Sequence, residues 1–180
     1  MKNFKLNEKD ILSNQDWTFP TTTYYGPGRL NEIGKFCEEF DIKNPLIVTD
    51  SGSKDLPFIK KLIALLSKNN IKSDLFYNIS PNPRDDEISK GCDQFKNGSH
   101  DSIIAIGGGS AMDGGKSICL TVNSETPLWD FEFEKPVPKI TKENAFPKII
   151  TIPTTAGTGA ETEITAMVTH LEKGMKFCIW

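Results

Sequence analysis

A short apolar run, three consecutive glycines and a helix start follow one another without a break between Ser102 and Lys116. Ser102 to Ile106 is rich in β-branched residues, the pattern of a central strand of a parallel sheet. Gly107, Gly108 and Gly109 then let the backbone turn sharply and let a ligand approach the main chain closely. Ser110 is placed as an N-cap, with Asp113 three residues on where a capping box wants an acceptor. The free N–H groups of such a helix start suit a phosphate or pyrophosphate. The plain alternative is a strand–helix turn whose glycines serve tight packing.

Two commoner phosphate loops are nearly matched. Gly115-Lys116-Ser117 supply the end of a Walker A loop, but Ser110 stands where its first glycine is required. A P-loop nucleotide hydrolase is therefore a distant reading. The dinucleotide fingerprint begins well at Gly107 and Gly109, then meets Met112 in place of its third glycine.

The flanking chain reads as alternating strands and helices. Residues 1–16 read as a polar arm with a Phe4/Leu6/Ile11/Leu12 stripe, and residues 17–180 read as one α/β domain. Trp17 to Tyr25 reads as a strand rich in Thr and aromatics, confined to an edge by Pro20. A helix follows from about Arg29 to Phe40, then a buried strand, Leu46 to Asp50. A second helix begins at Asp55-Leu56-Pro57 and buries Phe58, Ile59, Leu62, Ile63, Leu65 and Leu66. Leu75 to Tyr77 is a short strand, Pro81-Asn82-Pro83 breaks the chain, and Asp85 caps a helix ending near Gly98. After the Ala111–Thr121 helix, Pro127 to Pro147 is a long insertion, either functional or packed over the sheet edge. Lys148 to Ile152 is another buried strand, running into Pro153-Thr154-Thr155-Ala156-Gly157-Thr158-Gly159-Ala160-Glu161. Alternation around Glu172-Lys173-Gly174 predicts a terminal β-hairpin.

This order implies an α/β fold: a Rossmann-like parallel sheet with flanking helices and right-handed crossovers. Ligands on such sheets bind beyond the carboxyl ends of the strands. Asp50, the Gly107–Ser110 loop and the Thr154–Thr158 loop all fall at such ends. Asp50 can accept hydrogen bonds from an adenosine ribose and repel a 2′-phosphate, or it can cap the Ser51-Gly52-Ser53 turn. Thr hydroxyls and open glycine backbone suit diphosphate and sugar oxygens, or simply cap their loop. A net charge of −3 argues against nucleic acid as partner. Cys37, Cys92, Cys119 and Cys178 stand far apart, which favours reduced thiols and a cytoplasmic setting. No run reaches membrane-spanning length.

Together, Gly107-Gly108-Gly109-Ser110-x-x-Asp113-x-x-Lys116 and Pro153-Thr154-Thr155-Ala156-Gly157-Thr158-Gly159-x-Glu161 closely resemble the metal-dependent, iron-containing (group III) alcohol dehydrogenases. The Trp17–Gly28 opening, Asp50 and Pro81-Asn82-Pro83 follow that family's order and spacing. Ala160 departs from it, standing where a serine is usual, and Glu163 where a threonine is common. The resemblance implies an N-terminal NAD-binding domain like that of the dehydroquinate synthase fold. It implies that Asp50 selects NAD over NADP, with Asn82 nearby. Gly108, Gly109 and Ser110 would hold the pyrophosphate and Asp113 would brace their loop on the nicotinamide side. Thr154, Thr155 and Thr158 would line the cofactor and Lys176 would contact a ribose. The implied reaction is reversible hydride transfer between NAD and a small alcohol or aldehyde, with a metal as Lewis acid.

In that family one Asp and three His in a second, helical domain hold the metal, Fe²⁺ or Zn²⁺. This chain has two histidines, His100 and His170, both read as surface residues, and so no metal site. The expectation is a cofactor domain cut off from its helical partner by truncation or a broken reading frame, inactive alone, with a homodimer left open. Two alternatives stand beside it: a sugar-phosphate cyclase of the dehydroquinate synthase type, and a non-catalytic nucleotide-binding fragment.

Overall fold

The structure, a computed structural model, describes residues 15–19, 21–140 and 146–180. The apolar stripe of the arm, Pro20 and part of the 127–147 insertion lie outside these residues. The described chain opens with strands β1 (Gln15–Phe19) and β2 (Thr21–Tyr25), an antiparallel pair with Phe19 opposite Thr21. The single strand expected over Trp17–Tyr25 is thus two strands, and the expected arm gives up Gln15 and Asp16 to the first. A proline between them has no N–H with which to continue a ladder. A 3₁₀ turn, Arg29–Glu32, leads into helix α1 (Ile33–Glu39).

Strand β3 (Pro45–Asp50), helix α2 (Pro57–Lys68), β4 (Asp74–Ile79), α3 (Asp85–Asn97), β5 (Ser102–Gly107), α4 (Gly109–Thr121) and β6 (Lys148–Pro153) then alternate as expected, but β6, expected to be buried, is an edge strand whose residues are exposed or half-buried because it has a neighbour on one side only. The four strands pair in parallel in the order β4-β3-β5-β6. The chain first steps from β3 to β4 on one side, then crosses to β5 on the other. The carboxyl ends of β3 and β5 therefore flank the switch point, where an open α/β sheet leaves a crevice.

Both faces of the sheet are covered, which is why β3 and β5 are continuously apolar. Leu46, Val48 and Ile103 face α3 and α4, packing on Phe76, Ile88, Phe95 and Ile118. Ile47, Ile104 and Ile106 face the opposite side, where Ile33, Cys37, Ile59, Leu62 and Leu66 come from α1 and α2. Ile63, expected in that face, is 38% exposed, because the buried stripe of α2 follows 59, 62 and 66. Gly114 and Gly115 let α4 lie on the sheet. A Cβ on Gly115 would stand 2.5 Å from Ala105 Cβ, and one on Gly114 2.7 Å from Ile79 Cδ1.

Strands β7 (Ala166–His170) and β8 (Met175–Ile179) form the expected hairpin, which rests on α4. The insertion begins as packing. Its 3₁₀ turn Leu128–Phe131 buries Phe131, whose carbonyl accepts from Trp180 N–H at 3.0 Å.

Neither histidine is the surface residue expected. His100 is 6% exposed, folded back by the left-handed Ser99 so that Nδ1 lies 2.9 Å from Asn44 O. Its Nε2 faces Asp74 Oδ2 at 3.4 Å. His170 stacks on Trp129 with ring centroids 4.5 Å apart, and its Nδ1 stands 3.6 Å from Asp85 Oδ2. Among the described residues no helix is long and apolar enough to cross a membrane.

Candidate functional site

The carboxyl ends of β3 and β5 are clasped by a buried hydrogen bond. Thr49 Oγ1 donates to Ile106 O at 2.7 Å. One residue further along each strand stand Asp50 and Gly107. Gly107 has φ +147°, and a Cβ there would meet Ala111 Cβ at 2.7 Å and Asp50 Oδ2 at 3.1 Å. Glycine is therefore required both for the turn and to let the Asp50 carboxylate lie against the backbone. Gly107 is paired with Pro153 at the end of β6, and its carbonyl accepts from Thr154 N–H at 2.8 Å. The threonine loop then runs beside the glycine turn. A Cβ on Gly108 would lie 3.3 Å from Thr155 Oγ1, and one on Gly109 3.2 Å from Thr158 Cγ2. Carboxylate, glycine turn and hydroxyls, read from three separate strand ends, share one rim.

Helix α4 starts two residues earlier than expected. Its N-cap is Gly108, and no side chain caps it. The predicted N-cap of Ser110 and its capping box with Asp113 are not formed. Ser110 Oγ instead donates to Pro81 O at 2.5 Å, and Asp113 accepts the N–H of Met167 on β7. The glycine cap leaves the leading N–H groups of α4 to a ligand, and its bare Cα lets that ligand approach. Gly115, Lys116 and Ser117, the partial Walker end, lie inside α4 and take no part in the loop.

Asp50 caps its own turn, one of its two anticipated roles, accepting from Gly52 N–H at 3.0 Å and from Ser53 Oγ at 2.7 Å. An ionised carboxylate offers about four lone-pair sites, so two such bonds leave acceptors for a vicinal diol. The neighbouring loop follows closely: Ser51 N–H donates to Ile79 O at the end of β4. Beyond it, Asn82 Oδ1 accepts from Lys176 Nζ at 3.2 Å, and Pro83 O from Thr169 N–H at 2.7 Å.

Asp113 lies one turn into α4. Burial pushes its carboxyl above the usual range, against the Met167 N–H and the charges of Lys116 and Lys176, which pull it down. Burial likewise lowers Lys116, opposed by Asp113 and Glu163. The Lys116 ammonium donates to Glu163 O at 2.6 Å and Thr165 O at 3.0 Å, tying the end of the threonine loop to α4. Ala160, where a serine was expected, is buried, so the small side chain packs there.

Two contributors escaped the sequence reading. Thr49 looked like an ordinary strand residue, because β-branching masks its hydroxyl's bond. Glu87 is 5% exposed and accepts from Arg84 N–H at 3.1 Å. It caps α3 in place of the expected Asp85, which is the first helical residue. The pattern x-x-x-Glu was present, but Arg84 at the N-cap lacks the hydroxyl that makes a capping box recognisable. Among the described residues, no three His, Cys, Asp or Glu side chains converge as metal ligands do.

The sequence profile of the iron-containing alcohol dehydrogenases matches residues 20–180. A choline dehydrogenase of Bacillus subtilis is 32% identical over 177 residues, which are 96% of this chain and 43% of that protein. A solved 1,3-propanediol oxidoreductase is 30% identical with a TM-score of 0.78, over 86% of this chain and 39% of its own. The sulfoacetaldehyde reductase of Bifidobacterium kashiwanohense, solved with NAD⁺, is 28% identical with a TM-score of 0.75, over 86% and 39%. This chain thus spans about two-fifths of the length of the relatives it matches.

Proposed function

The chain belongs to the iron-containing alcohol dehydrogenase family, and from that premise we propose that residues 17–180 are the cofactor-binding domain of an NAD-dependent alcohol dehydrogenase. The observation that carries the reading is the single rim shared by Asp50, the Gly107–Gly109 turn and Thr155 and Thr158. The fit to a dinucleotide rests on two features of that rim. The glycine faces form a cradle that any Cβ would fill, and the uncapped helix start supplies N–H donors to a pyrophosphate.

Bound NAD would supply the hydride acceptor when an alcohol is oxidised to an aldehyde, and as NADH the donor for the reverse. Asp50 accepts the adenosine ribose hydroxyls and repels a 2′-phosphate. Gly108, Gly109 and Ser110 present backbone N–H groups to the pyrophosphate. Thr154, Thr155 and Thr158 line the opposite wall with hydroxyls, and Asn82 and Lys176 hold the far side as a hydrogen-bonded pair. Asp113, fixed by Met167 N–H, braces the first turns of α4 beneath the nicotinamide end. The substrate class is a small-molecule alcohol or aldehyde.

The family's metal does not fit the described residues. His100 and His170 lie in separate places, each near a single carboxylate, Asp74 at 3.4 Å and Asp85 at 3.6 Å, and among the described residues no further ligand converges on either. We assign the metal ligands of a complete enzyme to chain outside these residues and derive no step through them. All four cysteines are free thiols, and burial pushes Cys119 up to about 12, so it is protonated and unreactive in the core.

Calorimetric titration of the folded chain with NAD and with NADP tests the reading. NAD should bind with an enthalpy change and NADP about tenfold or more weakly, the scale of one lost charge-assisted hydrogen bond. Binding of neither nucleotide would sink the assignment, and a preference for NADP would sink the role of Asp50.

A further inference from the structure

We propose that Glu87 is a positioning residue for the dinucleotide: it touches no ligand but holds the loop that presents Asn82. The inference rests on the cofactor reading above. Glu87 is a buried carboxylate, on the first turn of α3, with no role in the rim itself. Its Oε2 receives Ser80 N–H, Ser80 Oγ and Arg84 N–H, each at 3.1 Å. One oxygen therefore pins both ends of the Ser80–Arg84 loop. Oε1 is faced by the Arg84 guanidinium at 3.5 Å.

From there the constraint passes to the site in one step. Ser80 Oγ lies 2.7 Å from Asn82 O, so its one hydrogen is shared between that carbonyl and the carboxylate. Asn82 in turn accepts from Lys176, and Pro81 O accepts from Ser110 on the α4 helix start. At the tip of the loop Pro81 and Asn82 are exposed, while Pro83 is buried and its carbonyl is held by Thr169 N–H. The buried anion fixes what that packing leaves loose: three donors converging on it tie Ser80 and Arg84 together beneath the exposed tip. Bonds to a charged acceptor are the stronger kind, and an alternative loop would strand the charge in the core. Pre-organisation of this sort raises affinity by removing the ordering cost on binding.

Glu87→Gln tests this, with Ser80→Ala as a second variant that leaves the charge in place. NAD affinity should fall about tenfold in Glu87→Gln, and less in Ser80→Ala. In an Asn82→Ala background Glu87→Gln should cost nothing further, because a positioning residue acts through the group it positions. Additive losses would mark Glu87 as a merely structural residue and overturn the proposal. So would undiminished NAD affinity in Glu87→Gln. Amide hydrogen exchange on the free chain reads the loop without nucleotide. The amides of Ser80 and Arg84, which donate to the carboxylate, should exchange faster in Glu87→Gln while β3 and β5 keep their protection, and unchanged exchange overturns the inference even where nucleotide binding is lost. A wild-type chain that binds no NAD overturns instead the cofactor reading on which the proposal stands.

Discussion

Asp50 sits between two jobs. It caps its own turn through Gly52 and Ser53, and it lies against the bare Cα of Gly107. Asp50→Ala should therefore weaken NAD about tenfold, leave NADP less affected and narrow the preference between them, as paired calorimetric titrations would read. A uniform loss for both nucleotides would point to the turn rather than the ribose. Asp113 makes a different prediction. Its carboxyl is raised in the fold, chiefly by burial, so its charged form is disfavoured at neutral pH. Asp113→Asn should melt higher than wild type at pH 7 by differential scanning fluorimetry while binding NAD more weakly. The stability advantage should close as pH falls through the raised native value toward 3.8, where the wild-type carboxyl becomes neutral as well. An advantage independent of pH would refute burial of the charge as its origin. Residue-scale roles were the least legible in the sequence. Ser110 has the right chemistry for an N-cap, but a glycine took that place and the hydroxyl found Pro81 O. The burial of His100 depends on Ser99 adopting φ +51°, which no periodicity announces.

The element that sets the site is α4. In the proposed reading its start meets the dinucleotide, and its middle rests on β5 through Gly115, where added bulk would press on Ala105. In an isolated helix Gly→Ala is worth about 1 kcal/mol in favour of alanine. Overpacking a tight contact costs about 1–3 kcal/mol, and at 2.5 Å the contact wins. Gly115→Ala should lose up to about 2 kcal/mol in urea unfolding, and NAD affinity should fall with it if α4 relieves the clash by lifting its N-terminus from the rim. Elements of this kind were legible: each strand–helix alternation from β3 to β6 follows the apolar periodicity. What periodicity missed were the ends, such as the break between β1 and β2 and the earlier start of α4. Ends are decided by single bonds and single glycines rather than by a repeating face. The insertion was unreadable for a related reason: Phe131 is buried by contact with β8, far along the chain, not by any local pattern.

At the scale of the whole molecule, a dinucleotide seated at the switch point of the order β4-β3-β5-β6, as proposed, would add to the stability of the fold. A ligand at about 100 times its dissociation constant adds about 2.7 kcal/mol, which lifts the midpoint of a chain this size by about 5–10 °C. Thermal melts with saturating NAD should show that rise. Fe²⁺ should leave the midpoint where it was, since the described residues offer no ligand set; a metal-induced shift would require one elsewhere in the chain. The fold itself was legible because both faces of β3 and β5 had to be apolar, and the family resemblance rested on two motifs at the carboxyl ends of β5 and β6.

The Thr49–Ile106 clasp joins residues 57 positions apart in the chain. A ribosome that has released only the first three strands has made Asp50 but nothing for it to face. If the rim binds NAD as proposed, capture comes late in biogenesis: a nascent chain stalled before β5 should stay blind to NAD while one stalled after β6 should not.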